Sequence, residues 1–117
     1  MPADLDSSPP PASASRAGGI FHALADPTRR AVIERLSSGP ASTTELARPF
    51  KMALPSFAQH LHVLEDAGVV RSRKEGRSRR YRLVPDPLQA AEAWIVAQRT
   101  IWEQRLDRME DYVDGMT

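Results

Sequence analysis

Three features of this 117-residue chain predict a mainly α fold carrying one small β-hairpin, in the order α-α-α-α-β-β-α. Between Ile20 and Gly68 the apolar residues recur at helical spacing, broken by Pro and Gly. After Gly68 the period changes to alternation, through RSRKEG and RSRRYRLV, with Gly76 at the tip between them. From Pro85-Asp86-Pro87 onward the helical period returns and lasts almost to the end.

Taken in order, residues 2–19 are rich in Pro, Ser, Ala and Gly and nearly free of large apolar groups. Such a segment buries too little surface to offset its ordering entropy, so 1–19 is expected to be a disordered tail. Ile20, Phe21, Leu24 and Ala25 give a short helical stripe with His22 beside it. Asp26-Pro27 then starts a second helix, Asp as N-cap and Pro in the first turn. Val32, Ile33 and Leu36 face inward and Gly39-Pro40 stops it. Arg29, Arg30, Glu34 and Arg35 form its outer face, expected to be solvated, with one or two within reach of phosphate.

Ser42-Thr43-Thr44-Glu45 has the spacing of a capping box and opens a short helix, with Leu46 and Ala47 inward and Pro49 as breaker. Phe50 is placed to plug the corner. A further helix follows, led by Pro55 and ended by Gly68, and two helices joined this tightly make a helix-turn-helix. In this last helix Phe57, Leu61 and Leu64 make the inward stripe, widened by Ala58 and Ala67. Ser56, Gln59, His62, Glu65 and Asp66 lie opposite. Alone, the stretch reads as an ordinary amphipathic surface helix. Its polar first turns and greasy back also suit a helix entering the DNA major groove.

The hairpin tips the balance. Formal net charge is only +1, yet seven of the sixteen basic residues lie between Arg71 and Arg82, with Glu75 the one acid among them. A basic hairpin directly after a helix-turn-helix is a wing, whose arginines would follow the DNA backbone and reach toward the minor groove. Base-edge candidates are Ser56 and Gln59, since Gln pairs bidentately with adenine and Ser serves either partner. Leu54 is placed against a thymine methyl or as an apolar plug. His60 either contacts DNA or holds the helix to its neighbours. Arg73, Lys74, Arg77, Arg79 and Arg80 are the wing candidates for phosphate.

The last helix is expected from Leu88 to about Tyr112, within a folded unit of 20–113 and a short tail of 114–117. Its apolar side carries Leu88, Ala91, Trp94, Ile95, Ile101, Trp102, Leu106, Met109 and Val113. So small a domain has no interior for all of these. The outlet is a second copy of the chain, making a homodimer in which Phe21, Leu24, Trp94, Ile95, Trp102, Leu106, Met109 and Val113 line the contact. A ligand groove along the tryptophans is the rival.

There are no cysteines, which excludes disulfides and thiolate metal sites within the chain. No apolar run has the length of a membrane span and no signal peptide is visible, so a soluble, cytoplasmic protein is expected. No nucleophile–base pair, phosphate-cradling Gly loop or metal cluster is legible, and no cofactor and no enzymatic activity are predicted.

The stretches FHALADPTRRAVIERLSSG, TELARPFKM, LPSFAQHLHVLEDAGVV and GRSRRYRLVPDPL, in this order, resemble the ArsR (ArsR/SmtB) family of bacterial winged-helix regulators. The resemblance covers roughly residues 20 to 112. It implies a homodimer paired through terminal helices, double-stranded operator DNA as partner, and repression relieved by an inducer that no residue pattern here specifies. Two departures stand out. Metal-sensing members carry Cys on the third helix or His and carboxylate pairs on the terminal helix. Here there is no Cys, the terminal helix has no His, and His60 and His62 are too close in sequence to share a face. Many members also read Ser-x-His-Leu with a base before His, where this chain has Ala58-Gln59-His60-Leu61. The wing and the Trp102-bearing tail resemble a metal-independent branch whose members often repress their own operon. The alternative is a protein-interaction module on the same frame with weakened DNA binding.

Overall fold

The computed structural model describes residues 19–115. Helix α1 occupies 19–24, α2 Pro27–Leu36, α3 Thr43–Ala47, α4 Leu54–Asp66 and α5 Asp86–Gly115. Strands are β1 (Ala41–Ser42), β2 (Val70–Glu75) and β3 (Ser78–Leu83). The expected order is present, with one addition. β1 pairs antiparallel with β3, so the hairpin becomes a three-stranded sheet ordered β1-β3-β2. Two residues are too few to leave an alternation signal, and Ser42 was legible only as a cap. Most of the expected tail at 1–19 lies outside the described residues. Of it, Gly19 belongs to α1. At the other end α5 continues through Gly115, beyond the expected close near Tyr112.

The caps work as the residue types require. The Asp26 carboxylate accepts from the Arg29 amide at 3.0 Å, with Pro27 in the first turn of α2. Burial pushes the Asp26 carboxyl up. The Arg29 amide, aided by the Arg29 guanidinium and the Thr28 amide, outweighs this and holds it below its ordinary value. The Ser42 amide donates to Glu45 Oε1 and the Glu45 amide to Ser42 Oγ, both at 3.2 Å, closing a capping box. The Ser42 amide first, and its hydroxyl next, hold the Glu45 carboxyl low. A helix as short as α3 does not persist alone; the box and the buried Leu46 keep it in place.

α4 buries Phe57, Leu61 and Leu64 as its period demands. Ala58 does not widen this stripe: it is exposed, while Val63 and Ala67 are the partly buried flanks. The helix ends at Gly68, φ +77°, in a Schellman arrangement. The Gly68 amide bonds the Glu65 carbonyl at 2.9 Å and the Val69 amide the Leu64 carbonyl at 3.2 Å. Leu64 and Val69 are both fully buried, supplying the apolar contact that accompanies this motif. Ile20, Val32, Phe57, Leu64, Val69 and Val70 are the largest wholly buried side chains. They join α1, α2, α4 and the start of β2 into one core, and Phe50 leans on Phe57 with ring centroids 5.5 Å apart.

α5 is different. It has 30 residues, about 45 Å of helix, yet Ala91 is its one buried residue. Leu88 and Ala91 dock on the core, and every residue from Glu92 to Gly115 is exposed.

Candidate nucleic-acid interface

The β2–β3 register is fixed by a two-residue turn. Gly76 has φ +60°, and no non-Gly residue among those described has positive φ, so the Gly76-Arg77 turn is of type II′. From this turn the pairing runs Glu75↔Ser78, Lys74↔Arg79, Arg73↔Arg80, Ser72↔Tyr81 and Arg71↔Arg82. Three of these pairs set like charges directly opposite one another, which is unfavourable in an isolated hairpin and is relieved by an anion. Arg73, Lys74, Arg77, Arg79 and Arg80 are all exposed, as are Arg71 and Arg82. Alternation puts Lys74 and Arg79 toward the tip of the same face as the buried Val70 and Tyr81, and Arg71, Arg73, Arg80 and Arg82 on the opposite face, so the basic end of the hairpin is carried on a fixed base.

Tyr81 anchors that base. Burial, and next the Glu65 carboxylate, push its phenol above the ordinary value; Arg79 and hydrogen bonds with Ser72 and Thr43 draw it back only in part. The Ser72 hydroxyl also donates to Glu65 Oε2 at 3.0 Å, tying β2 to the outer face of α4. Recognition-helix candidate and wing are therefore held to each other by side chains, beyond being neighbours in sequence.

On α4, Leu54 is 65 % exposed, and Ser56 and Gln59 are exposed. Ala53, the N-cap, offers no side-chain bond, so the first turn keeps its Leu54 and Ser56 amides open. His62 is outward and paired with Asp66 at 3.2 Å. His60 turns inward and is half-buried: its Nδ1 lies 3.1 Å from Arg29 Nη1 and 3.6 Å from Asp26 Oδ2. Arg29, expected on the solvated face of α2, is instead half-buried. Its Nε donates to the Ala23 carbonyl at 2.8 Å and its Nη2 to the His22 carbonyl at 3.0 Å. Arg30 likewise donates to the Leu24 carbonyl at 2.8 Å. The open carbonyls at the end of α1 draw Arg29 in, a demand that the spacing of α2 alone does not reveal, whereas Arg30 stays exposed as expected while making its bond. Arg48 and Lys51, exposed in the α3–α4 turn, are further cations beside α4 that the sequence reading passed over.

The apolar residues expected at a dimer contact fall in two groups. Phe21 and Leu24 are half-buried, and Phe21 meets Trp94 edge-on with centroids 5.5 Å apart. Trp94, Ile95, Trp102, Leu106, Met109 and Val113 are exposed, joined by Val96, Ile101 and Tyr112. Trp102 at 65 % and Met109 at 63 % have no intrachain cover worth the name. Among the described residues no three His, Asp or Glu side chains gather as a metal site, and no helix is long and apolar enough to cross a membrane.

Residues 24–73, spanning α2, α3, α4 and the start of β2, match a family model described as a helix-turn-helix domain. The HTH-type transcriptional regulator Rv2034 of Mycobacterium tuberculosis is 47 % identical over 70 residues, 60 % of this chain and 65 % of that protein. The chain thus spans just under two thirds of that relative. The transcriptional repressor SdpR of Bacillus subtilis is 31 % identical over 77 residues, 66 % of this chain and 86 % of that protein. Among solved structures, an ArsR family transcriptional regulator superposes with a TM-score of 0.74 at 54 % identity, covering 77 % of this chain and 93 % of that one. A homodimeric winged helix-turn-helix DNA-binding domain from Mycobacterium bovis gives 0.56 at 26 % identity, with 76 % and 82 % covered.

Proposed function

The chain belongs to the ArsR family of helix-turn-helix transcriptional regulators, and from that premise we propose that it is a cytoplasmic, dimeric repressor of an inverted-repeat operator. The N-terminal turns of α4 enter the major groove, where Ser56 and Gln59 meet base edges and Leu54 a thymine methyl. Arg73, Lys74, Arg77, Arg79 and Arg80 follow the backbone toward the minor groove. Arg48 and Lys51 add phosphate contacts beside the helix. Two copies pair through α5 and α1, with the exposed Trp102, Leu106, Met109 and Val113 covered by the partner and Phe21, Leu24, Trp94 and Ile95 at its edge. The gene's own upstream region is the first operator to test, and any inducer acts by altering this pairing.

One observation carries the reading: a helix with open, polar first turns is tied through Glu65–Ser72 to a hairpin whose like-charged cross-strand pairs call for a polyanion. The experiment is fluorescence anisotropy with a labelled upstream duplex across a salt series. Affinity is expected to fall steeply with salt. Arg79→Ala should weaken binding to all sequences alike and lower the log–log slope by about one. Gln59→Ala should cost about 1–3 kcal/mol of discrimination at one base pair and leave the slope unchanged. A flat salt dependence would count against DNA as the partner and favour a protein-interaction module.

A further inference from the structure

Arg29 differs from the other arginines of α2 in having its whole guanidinium committed. Two of its nitrogens bond the His22 and Ala23 carbonyls in the last turn of α1, and the third meets His60 on α4. A guanidinium is planar and donates in fixed directions, so three acceptors on two other helices are held in one geometry. Arginine cannot accept a hydrogen bond, so His60 must present an unprotonated Nδ1 and carry its proton on Nε2. The Asp26 carboxylate lies beyond hydrogen-bond range of that same nitrogen, at 3.6 Å. His60 immediately follows Gln59 and lies one turn beyond Ser56. Any rotation of α4 about its axis that moves His60 also moves both base-edge candidates. Arg30 supplies the contrast: it caps α1 at the Leu24 carbonyl through its Nη1, a bond that does not involve α4.

We propose that Arg29 is a positioning residue for DNA reading: it fixes the rotation of α4 against the end of α1 through His60 Nδ1. Discrimination between operator and other DNA depends on this bond; attraction to phosphate does not. The inference rests on the DNA-binding reading above. Through Phe21 and Trp94 the same α1 also touches α5, so Arg29 joins the dimer side of the molecule to its reading side.

The test compares binding of the full chain to its upstream duplex and to a scrambled duplex of equal length, at one salt concentration. Arg29→Lys keeps the charge but not the fork. His60→Leu removes the acceptor, and His60→Asn places an amide oxygen near the former Nδ1. Arg29→Lys and His60→Leu should each lower the operator-to-scrambled ratio roughly tenfold, the worth of one misplaced base contact. Both should bind the scrambled duplex as wild type does, which also reports an intact fold. His60→Asn and Arg30→Gln should keep the wild-type ratio, and the Arg29→Lys/His60→Leu double variant should lose no more than either change alone. Arg29→Lys with an unchanged ratio, Arg30→Gln with an equal loss, or His60→Asn failing like His60→Leu overturns the proposal. A wild type that does not discriminate removes the DNA-binding reading, and this inference with it.

Discussion

Asp26 has two tasks in one carboxylate. It caps α2 through the Arg29 amide and lies beside the Arg29–His60 contact. Replacing it with Ala should lower stability by about 1 kcal/mol, the usual worth of an N-cap, measured by urea unfolding. Its carboxyl is held below the ordinary value of 3.8. The stabilisation it gives is thus fully present above the unfolded value and is lost as pH falls through the folded one. The unfolding midpoint of the wild type should hold from neutrality to about pH 5 and then decline. Asp26→Asn, which keeps a capping oxygen without the titration, should decline less. An equal acid decline in both would remove Asp26 from this account. The cap was plain from Asp-Pro alone. The desolvated cluster around it was not, because His60 lies more than thirty positions away and its inward turn depends on how α1, α2 and α4 pack.

At the scale of elements, the wing is the part most dependent on a single backbone angle. Gly76 sits at φ +60° with nothing within 4 Å of a built Cβ, so a substitution there is opposed by conformation alone. Gly76→Val should cost about 1–3 kcal/mol locally and loosen the hairpin tip. DNA affinity should drop while the thermal midpoint of the domain stays close to wild type. A midpoint that falls with the affinity would show the tip to be part of the cooperative core. The elements were legible where one physical signal dominated: caps at Asp26 and Ser42, breakers at Pro49 and Gly68, alternation at Tyr81 and Leu83. They were obscure where packing decided. Ala58 fits the apolar period yet faces solvent, because Phe57, Leu61 and Leu64 already fill the space beneath α4. β1 exists because β3 offers it an edge, a long-range pairing that Ala41-Ser42 cannot announce.

For the whole molecule, the decisive feature is what α5 leaves uncovered. A fully buried large apolar side chain is worth about 1.5–3 kcal/mol, and nine of them stand at least 40 % exposed on this one helix. Large exposed apolar patches of this kind mark interaction surfaces, and a terminal helix shared by every copy makes a self-complementary partner the natural one. The sequence already implied this surplus of tryptophan and leucine on one helix. It left open which of those side chains the chain's own core would claim, and the answer is that Leu88 and Ala91 are claimed and Trp102 onward are not. Under the proposed pairing, the α5 contact would also set the spacing of the two α4 helices that an operator must match. Sedimentation equilibrium of the intact chain at micromolar concentration tests this most directly. The mass should be twice the 13.0 kDa of one chain, and Leu106→Glu should return it to 13.0 kDa with helical content retained. A wild-type chain that sediments at 13.0 kDa would contradict the account.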